Sequence, residues 1–239
     1  MLIELHCHTN HSDGIPTVRQ LIDKAGRELD GVAITDHNTF SGYQAARKLM
    51  PKCLLIPGIE VTCRHNVTNA SGATHGVHHS DGVVRHGSAH VVALGVEELK
   101  VKAFCTLGEL IEDAHSRGGL VINAHPFGGF SRNGFNDVKS ARKFDAIEIL
   151  NGNTLPSGNK KAAALAIRLK KPVVAGSDAH RLQDVGKFAC TIDSDTVDGI
   201  LKSIKKGKII LPDRQTSTIP LLTAKMKRQI RKKLKLIGG

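Results

Sequence analysis

Seven runs of strand length, almost unbroken in apolar residues, recur along the chain with stretches of helical period between them. "LIELH" (2–6), "GVAITD" (31–36), "CLLIPGIEV" (53–61), "HVVALG" (90–95), "GLVINAH" (119–125), "DAIEIL" (145–150) and "KPVVAGSD" (171–178) read as strands. The helical pattern appears in "TVRQLIDKAGREL" after Pro16, "SGYQAARKLM" with Ser41 as N-cap, "LGELIEDAHSRG" ending on Gly118, and "NKKAAALAIRLKK" before Pro172. A strand with one wet face alternates apolar and polar residues, whereas a strand covered on both faces is apolar throughout. The pattern therefore predicts βα units around a parallel sheet, an α/β fold closed into a barrel. A chain of 239 residues suffices for one such domain.

Aromatic residues make up only 3% and Trp is absent, so the core has to be built from Val, Ile, Leu and Ala. No run approaches the ~20 apolar residues of a membrane span, and "MLIELHCHTN" lacks a basic segment followed by an apolar one. The expectation is a cytoplasmic protein. Cys7, Cys53, Cys63, Cys105 and Cys190 are odd in number and show no CxxC spacing, which speaks against both a disulfide framework and a thiolate zinc knuckle. The sequons at 66 and 69 are read as accidental. Net charge is +12, and more than half of it comes from Lys225, Lys227, Arg228, Arg231, Lys232, Lys233 and Lys235 near the C-terminus. The body, 1–212, is only mildly basic; 213–239 forms a basic tail.

Residues of metal-ligand type fall at particular points of this scaffold. His6 ends the first strand, with His8 and Asp13 just beyond it in "HCHTNHSDG". His37 follows the second strand, Glu60 lies near the end of the third, His125 ends the fifth, and Asp178 and His180 follow the seventh. In a parallel barrel those C-terminal ends share one face, where active sites are built. His90 opens its run instead, and pattern alone does not settle where it faces. Imidazole and carboxylate without thiolate suit Zn, Mn or Fe. Such ions, with an open coordination position, bring bound water close to a neutral pKa, and hydrolysis is the natural use.

The ordered blocks "HCHTNHSDG", "ITDHN", "PGIEVT", "HVVALG", "NAHP" and "GSDAH" resemble the PHP (polymerase and histidinol phosphatase) superfamily of metal-dependent phosphoesterases, over about residues 1–192. The resemblance implies a distorted (β/α)7 barrel with two or three divalent ions at the C-terminal strand ends. It implies nine ligands: His6, His8, Glu60 and Asp178 around a first ion; Glu60 bridging to a second held by His90 and His125; Asp13, His37 and His180 around a third. It also implies hydrolysis of a phosphate ester by a metal-bridging hydroxide, with His180 or His37 as second-choice proton carriers beside their role as ligands. No ligand position is empty, and this separates the chain from a non-catalytic relative such as the PHP-related subunit of archaeal ribonuclease P. An RNA- or DNA-associated protein, whether exonuclease, phosphodiesterase or binding subunit, is the alternative.

Other residues carry two readings each. Asp36 either orients a ligating imidazole or caps a helix. Asn151 either faces the site or makes an Asn-Gly turn. Arg132 and Arg181 either clamp a substrate phosphate or are solvated surface charges. His11 reads as an exposed loop residue, and His115 as a helix C-terminal cation. The Gly-, Ser-, Asn- and His-rich stretch 64–89 reads as a mobile insertion, or as a flap over the site. Only 34 residues separate His90 from His125, too few for the helical cap carried by PHP enzymes that act on nucleoside bisphosphates or RNA ends. The tail places Leu222, Met226, Ile230 and Leu234 on one stripe amid basic residues. It could dock on the barrel, contact a nucleic-acid backbone or meet a membrane surface.

Overall fold

The computed structural model describes residues 1–65, 87–128 and 134–213, together with four two-residue strands between 66 and 86. Among these, nine strands make one sheet: β1 (Leu2–Glu4), β2 (Gly31–Ile34), β3 (Leu54–His65), β4 (Gly87–Leu94), β5 (Leu120–Asn123), β6 (Ala146–Asn151), β7 (Val173–Gly176), β8 (Cys190–Ile192) and β9 (Ile209–Ile210). The spatial order is β7, β6, β5, β4, β3, β2, β1, β8, β9. The sheet curls until its ends meet. Past the formal strand ends, Cys7 pairs with Ala179 and the His8 N–H donates to the Ala179 carbonyl at 2.9 Å. Below that closure β8 is inserted, antiparallel to β1, with the Cys190 thiol against the backbone of Ala175 in β7. The architecture is the expected distorted α/β barrel, and it adds β8 and β9 to the seven anticipated strands.

One expectation is corrected. β4 runs antiparallel to both β3 and β5, pairing Thr62 with His90 on one side and Val91 with Asn123 on the other. A parallel partner needs a crossover of a dozen or more residues, usually a helix. Here the chain after β3 forms two small antiparallel strand pairs, 67–68 with 74–75 and 77–78 with 84–85, and returns alongside itself. β3 and β4 also extend to His65 and Gly87, so residues 64, 65 and 87–89 of the anticipated insertion belong to the barrel. The rest of that insertion, apart from the four short strands, lies outside the described residues. So do Arg132 and the tail from 214 onward.

Among the described residues six α-helices cover the strands: α1 (Val18–Glu28), α2 (Ser41–Lys48), α3 (Leu107–Ser116), α4 (Val138–Ala141), α5 (Pro156–Leu169) and α6 (Val197–Lys205). Thr17 and Gln20 form a reciprocal capping box on α1, as Thr106 and Glu109 do on α3, satisfying otherwise orphaned N–H groups. Ser41 is the first helical residue of α2 rather than its cap; its N–H is taken by the Thr39 hydroxyl.

Alternation along β4 divides the core. Val92 and Leu94 join Ile3, Leu5, Ile56 and Ile122 inside the barrel, while Val91 and Ala93 pack outward with Val61, Val121, Leu107 and Leu110 beneath α3. The inner core also includes Ile200, Leu201 and Ile204 of α6, and a Cβ on Gly95, which follows β4, would come within 2.3 Å of Leu201. Since Gly95 follows the end of β4 and His90 lies in its first half, α6 packs at the end of the barrel away from the histidines. By the same alternation His90 shares the inner face with Val92, and Glu60 shares it with Ile56.

Candidate metal centre

Because β4 is reversed, its first residues lie at the rim where β1, β2, β3, β5 and β7 end. His90 therefore reaches the same pocket as residues that close their strands. A cavity of about 230 Å³ there is lined by Asp13, His37, Glu60, His90, His125, Asp178 and His180, with His6 and His8 buried behind it.

Glu60 is the centre of the arrangement. Its Oε2 lies 3.3 Å from His6 Nε2, 3.2 Å from His8 Nε2 and 3.3 Å from His37 Nδ1. Its Oε1 lies 3.0 Å from His125 Nε2 and 3.4 Å from His90 Nδ1. Each carboxylate oxygen thus faces its own set of imidazoles. Asp178 Oδ1 adds a second carboxylate 3.3 Å from His8 Nε2 and 3.7 Å from His6 Nε2. Asp13, half exposed, lies 3.1 Å from His180 Nε2, 3.6 Å from His37 Nε2 and 3.8 Å from His8 Nδ1.

Three sets of donor atoms are close enough to share an ion: His6, His8, Glu60 and Asp178; His8, Asp13, His37 and His180; and His37, Glu60 and His90. The first coincides with the set implied by the family resemblance. In the others His8 and His37 each stand between two groups, and His125 joins through Glu60 Oε1. Buried polar atoms normally find hydrogen-bond partners. Here His6 Nε2, both ring nitrogens of His8, Glu60 Oε2 and His180 Nε2 are buried without one among the described residues. Unpartnered nitrogens and a carboxylate oxygen converging on one space are what divalent ions would satisfy, so the residues present fit such ions.

Electrostatics reflects the same crowding. Burial pushes the Glu60 carboxyl up, but His6, His125 and His8 around it hold it well below the usual carboxylate range. Burial likewise raises Asp178, and His6 and His8 reverse the effect, leaving it low. Desolvation depresses His8, yet Asp178 and Glu60 outweigh it and raise the imidazole to about 9. His6 is raised in the same way, against its burial, by Glu148, Glu60 and Asp178. His37 goes the other way: burial dominates and lowers it to about 4, with Glu60 only partly opposing.

Two further acids position these groups. Glu148 of β6, buried, lies with Oε1 3.0 Å from His6 Nδ1 and accepts the His125 N–H at 2.9 Å on Oε2. Glu4 of β1 accepts the backbone N–H groups of His6, Ser177 and Gly186 and the Ser177 hydroxyl, tying β1 to the segment that carries Asp178. Sequence reasoning passed over both. The available signal was an acid inside an apolar strand, in "LIELH" and "DAIEILN", which is costly to bury without partners. His125 and Asp178 have φ of 27° and 48°, sparsely populated for side chains with a Cβ, and such strain concentrates at functional sites.

The remaining candidates are placed as follows. Asn151 is buried; its amide donates to Glu148 Oε2 and its oxygen accepts from Asn153 N–H and the Thr154 hydroxyl. Arg181 is exposed and paired with Asp184 at 2.7 Å. Asp36 neither orients His37 nor caps α2; it accepts from Thr9 N–H, the Thr9 hydroxyl and the Ser12 hydroxyl, holding the loop that presents Asp13. His11 is exposed, and His115 pairs with Asp145 at 2.7 Å.

A sequence-family model described as PHP-associated matches residues 156–209. Phosphoribosyl 1,2-cyclic phosphate 1,2-diphosphodiesterase of Eggerthella lenta is 29% identical over 119 residues, 48% of this chain and 39% of that protein. The 5'-3' exoribonuclease Rnm of Salmonella typhimurium is 25% identical over 231 residues, 90% of this chain and 66% of that protein. A solved two-domain protein from Bacteroides vulgatus, containing a predicted PHP-like metal-dependent phosphoesterase, superposes with a TM-score of 0.62 at 16% identity over 89% of this chain and 64% of that one. This chain spans less than two thirds of each of these three proteins. The likeness to that solved structure lies in the barrel, and the cluster at its rim is one that could hold metal ions. The ordered motifs and the matched segment make the chain similar to PHP proteins, the family-model match covering less than a quarter of its length.

No helix among the described residues is long and apolar enough to cross a membrane.

Proposed function

We propose that this chain hydrolyses phosphate esters at a site for two or three divalent ions, Zn, Mn or Fe. The observation that carries the reading is the set of five buried, unpartnered donor atoms on Glu60 and His180, which line one polar cavity, and on His6 and His8 just behind it. His6, His8, Glu60 and Asp178 would hold one ion, Glu60 with His90 and His125 a second, and Asp13, His37 and His180 a third. Bound there, such ions neutralise phosphoryl charge and bring a coordinated water towards a neutral pKa. The protein's part is to hold the donors in place and aimed. Glu148 holds the proton of His6 on Nδ1 and so turns Nε2 to the cavity. His180, with Nδ1 2.9 Å from the Asp178 carbonyl and part of its ring open to solvent, would serve first as a ligand, with proton transfer to a leaving oxygen as the second-choice role it shares with His37.

The two curated relatives are named for a cyclic phosphodiester and for RNA, so diesters stand beside monoesters as substrates to test. The exoribonuclease aligns over 90% of this chain, which favours exonucleolytic cleavage as the second reading. The basic residues between 225 and 235 would then contact the phosphate backbone.

Metal content and turnover decide the matter. The protein, stripped with chelator and reloaded with Zn, Mn or Fe, is assayed on an aryl phosphate monoester, a bis-aryl diester and a short 5'-phosphorylated oligoribonucleotide. The reading expects at least two ions per chain and metal-dependent release from one of these substrates. Salt-sensitive RNA binding without turnover in any metal would overturn it in favour of a binding subunit.

A further inference from the structure

On the outer side of β3, away from the cavity, Cys63 stands beside Cys105 with sulfurs 3.9 Å apart. Their backbones are parallel bridge partners, held by Arg64 N–H to the Cys105 carbonyl at 2.9 Å and Phe104 N–H to the Thr62 carbonyl at 2.6 Å. Neighbouring residues on paired strands have Cα atoms about 5 Å apart, inside the ~4.4–6.8 Å span of disulfides. Closing the sulfurs from 3.9 Å to ~2.05 Å calls for side-chain rotation within that span.

The two cysteines differ in access. Cys63 is fully buried among Val61, Ala89 and Leu107, whereas Cys105 is partly exposed, immediately before the N-cap Thr106 of α3. The neighbouring Cys63 thiol lowers the Cys105 pKa. The other three cysteines are buried, and the thiols of Cys7 and Cys190 donate to the carbonyls of Ala33 and Ala175.

We propose that Cys63 and Cys105 form a reversible redox modification site, with Cys105 as the attacking sulfur and Cys63 as the resolving one, responsive to small-molecule disulfides of the glutathione type. The Cys105 thiolate attacks one sulfur of the disulfide, forming a mixed disulfide and expelling one small thiolate. The Cys63 sulfur then attacks Cys105 Sγ and expels the second. Two protein thiols lose two electrons, one external disulfide becomes two thiols, and the two cysteine protons pass to them. The bond would tie β3, three residues beyond Glu60, to the segment entering α3.

The test uses the full chain in glutathione buffers of rising disulfide fraction, with alkylation, intact mass and peptide mapping. The expected result is simultaneous loss of two of the five thiols, a peptide cross-linking Cys63 to Cys105, and full return with dithiothreitol. The Cys63→Ser variant should stop at one glutathione adduct, on Cys105. Five thiols persisting in fully oxidised glutathione, a cross-link elsewhere, or a stable glutathione adduct on the wild-type chain would each overturn the assignment.

Discussion

His6 Nδ1 and Glu148 Oε1 lie 3.0 Å apart in a place where neither side chain sees solvent. A carboxylate only accepts, so Nδ1 carries a proton and Nε2 is the nitrogen left to bind an ion once it is deprotonated. Replacing Glu148 with Gln would present N–H groups either to His6 or to the His125 N–H, each a donor already. Glu148→Gln is expected to weaken ion binding by about 10- to 100-fold while leaving the barrel folded. Competitive chelator titration reads the first, and circular dichroism the second; unchanged affinity would remove Glu148 from the positioning role.

Glu60 divides its two oxygens between two sets of imidazoles, a division a carboxamide cannot reproduce. On the proposed function Glu60 would bridge two ions, and losing that bridge would remove several kcal/mol of transition-state stabilisation, so Glu60→Gln should lower turnover by at least about 100-fold. The metal-free variant should also melt earlier, because removing one member of a buried charge cluster typically costs about 3–5 kcal/mol. Phosphoester turnover at saturating metal, and thermal melts with chelator, measure the two effects separately.

The pH response of the metal-free protein follows from His8. Its folded pKa of about 9 lies above the ordinary 6.5, so protonated His8 stabilises the fold below 6.5, and that contribution fades as pH rises through 9. His37 acts in the opposite sense but only in acid: depressed to about 4, it stabilises above 6.5 and loses that contribution as pH falls. Ions need deprotonated imidazoles, so their affinity rises over the window in which the metal-free fold weakens. The gap in melting temperature between metal-loaded and chelated protein should therefore widen from pH 6.5 to 9. Parallel melting curves would contradict it.

Much of the barrel was legible because its strands are buried on both faces and so read as continuous apolar runs. The direction of β4 was not, since pairing direction depends on how residues 66–86 return the chain rather than on "HVVALG" itself. That one reversal explains how His90, at the start of a strand, reaches a rim built from strand ends. β8 and β9, at three and two residues, are too short to produce a periodicity. In the candidate site the residues of ligand type announced themselves by clustering in "HCHTNHSD" and "GSDAH". Glu4 and Glu148 did not, because an isolated acid in a strand is most often a solvated one, and only the fold shows how many donors surround it. Asn151 likewise became intelligible only through its bond to Glu148.

Gly176, the last residue of β7, tests how closely the barrel must pack around the site. A Cβ there would lie 2.5 Å from Glu148 Oε1 and 2.5 Å from His6 Cβ, below any normal contact and on both members of the pair that aims Nε2. Overpacking a close-fitting interior costs about 1–3 kcal/mol, so Gly176→Ala should lower stability by that amount. It should also weaken ion binding, because the only relief is to move His6 and Glu148 apart or out of line. Gly207→Ala is the control: at φ 65 it carries backbone strain, but a Cβ there meets nothing within 4 Å. It should lower the melting temperature without changing metal affinity. Denaturant melts and chelator competition on both variants separate packing at the site from general destabilisation, and equal metal affinities in the two would show that β7 does not set the aim of His6.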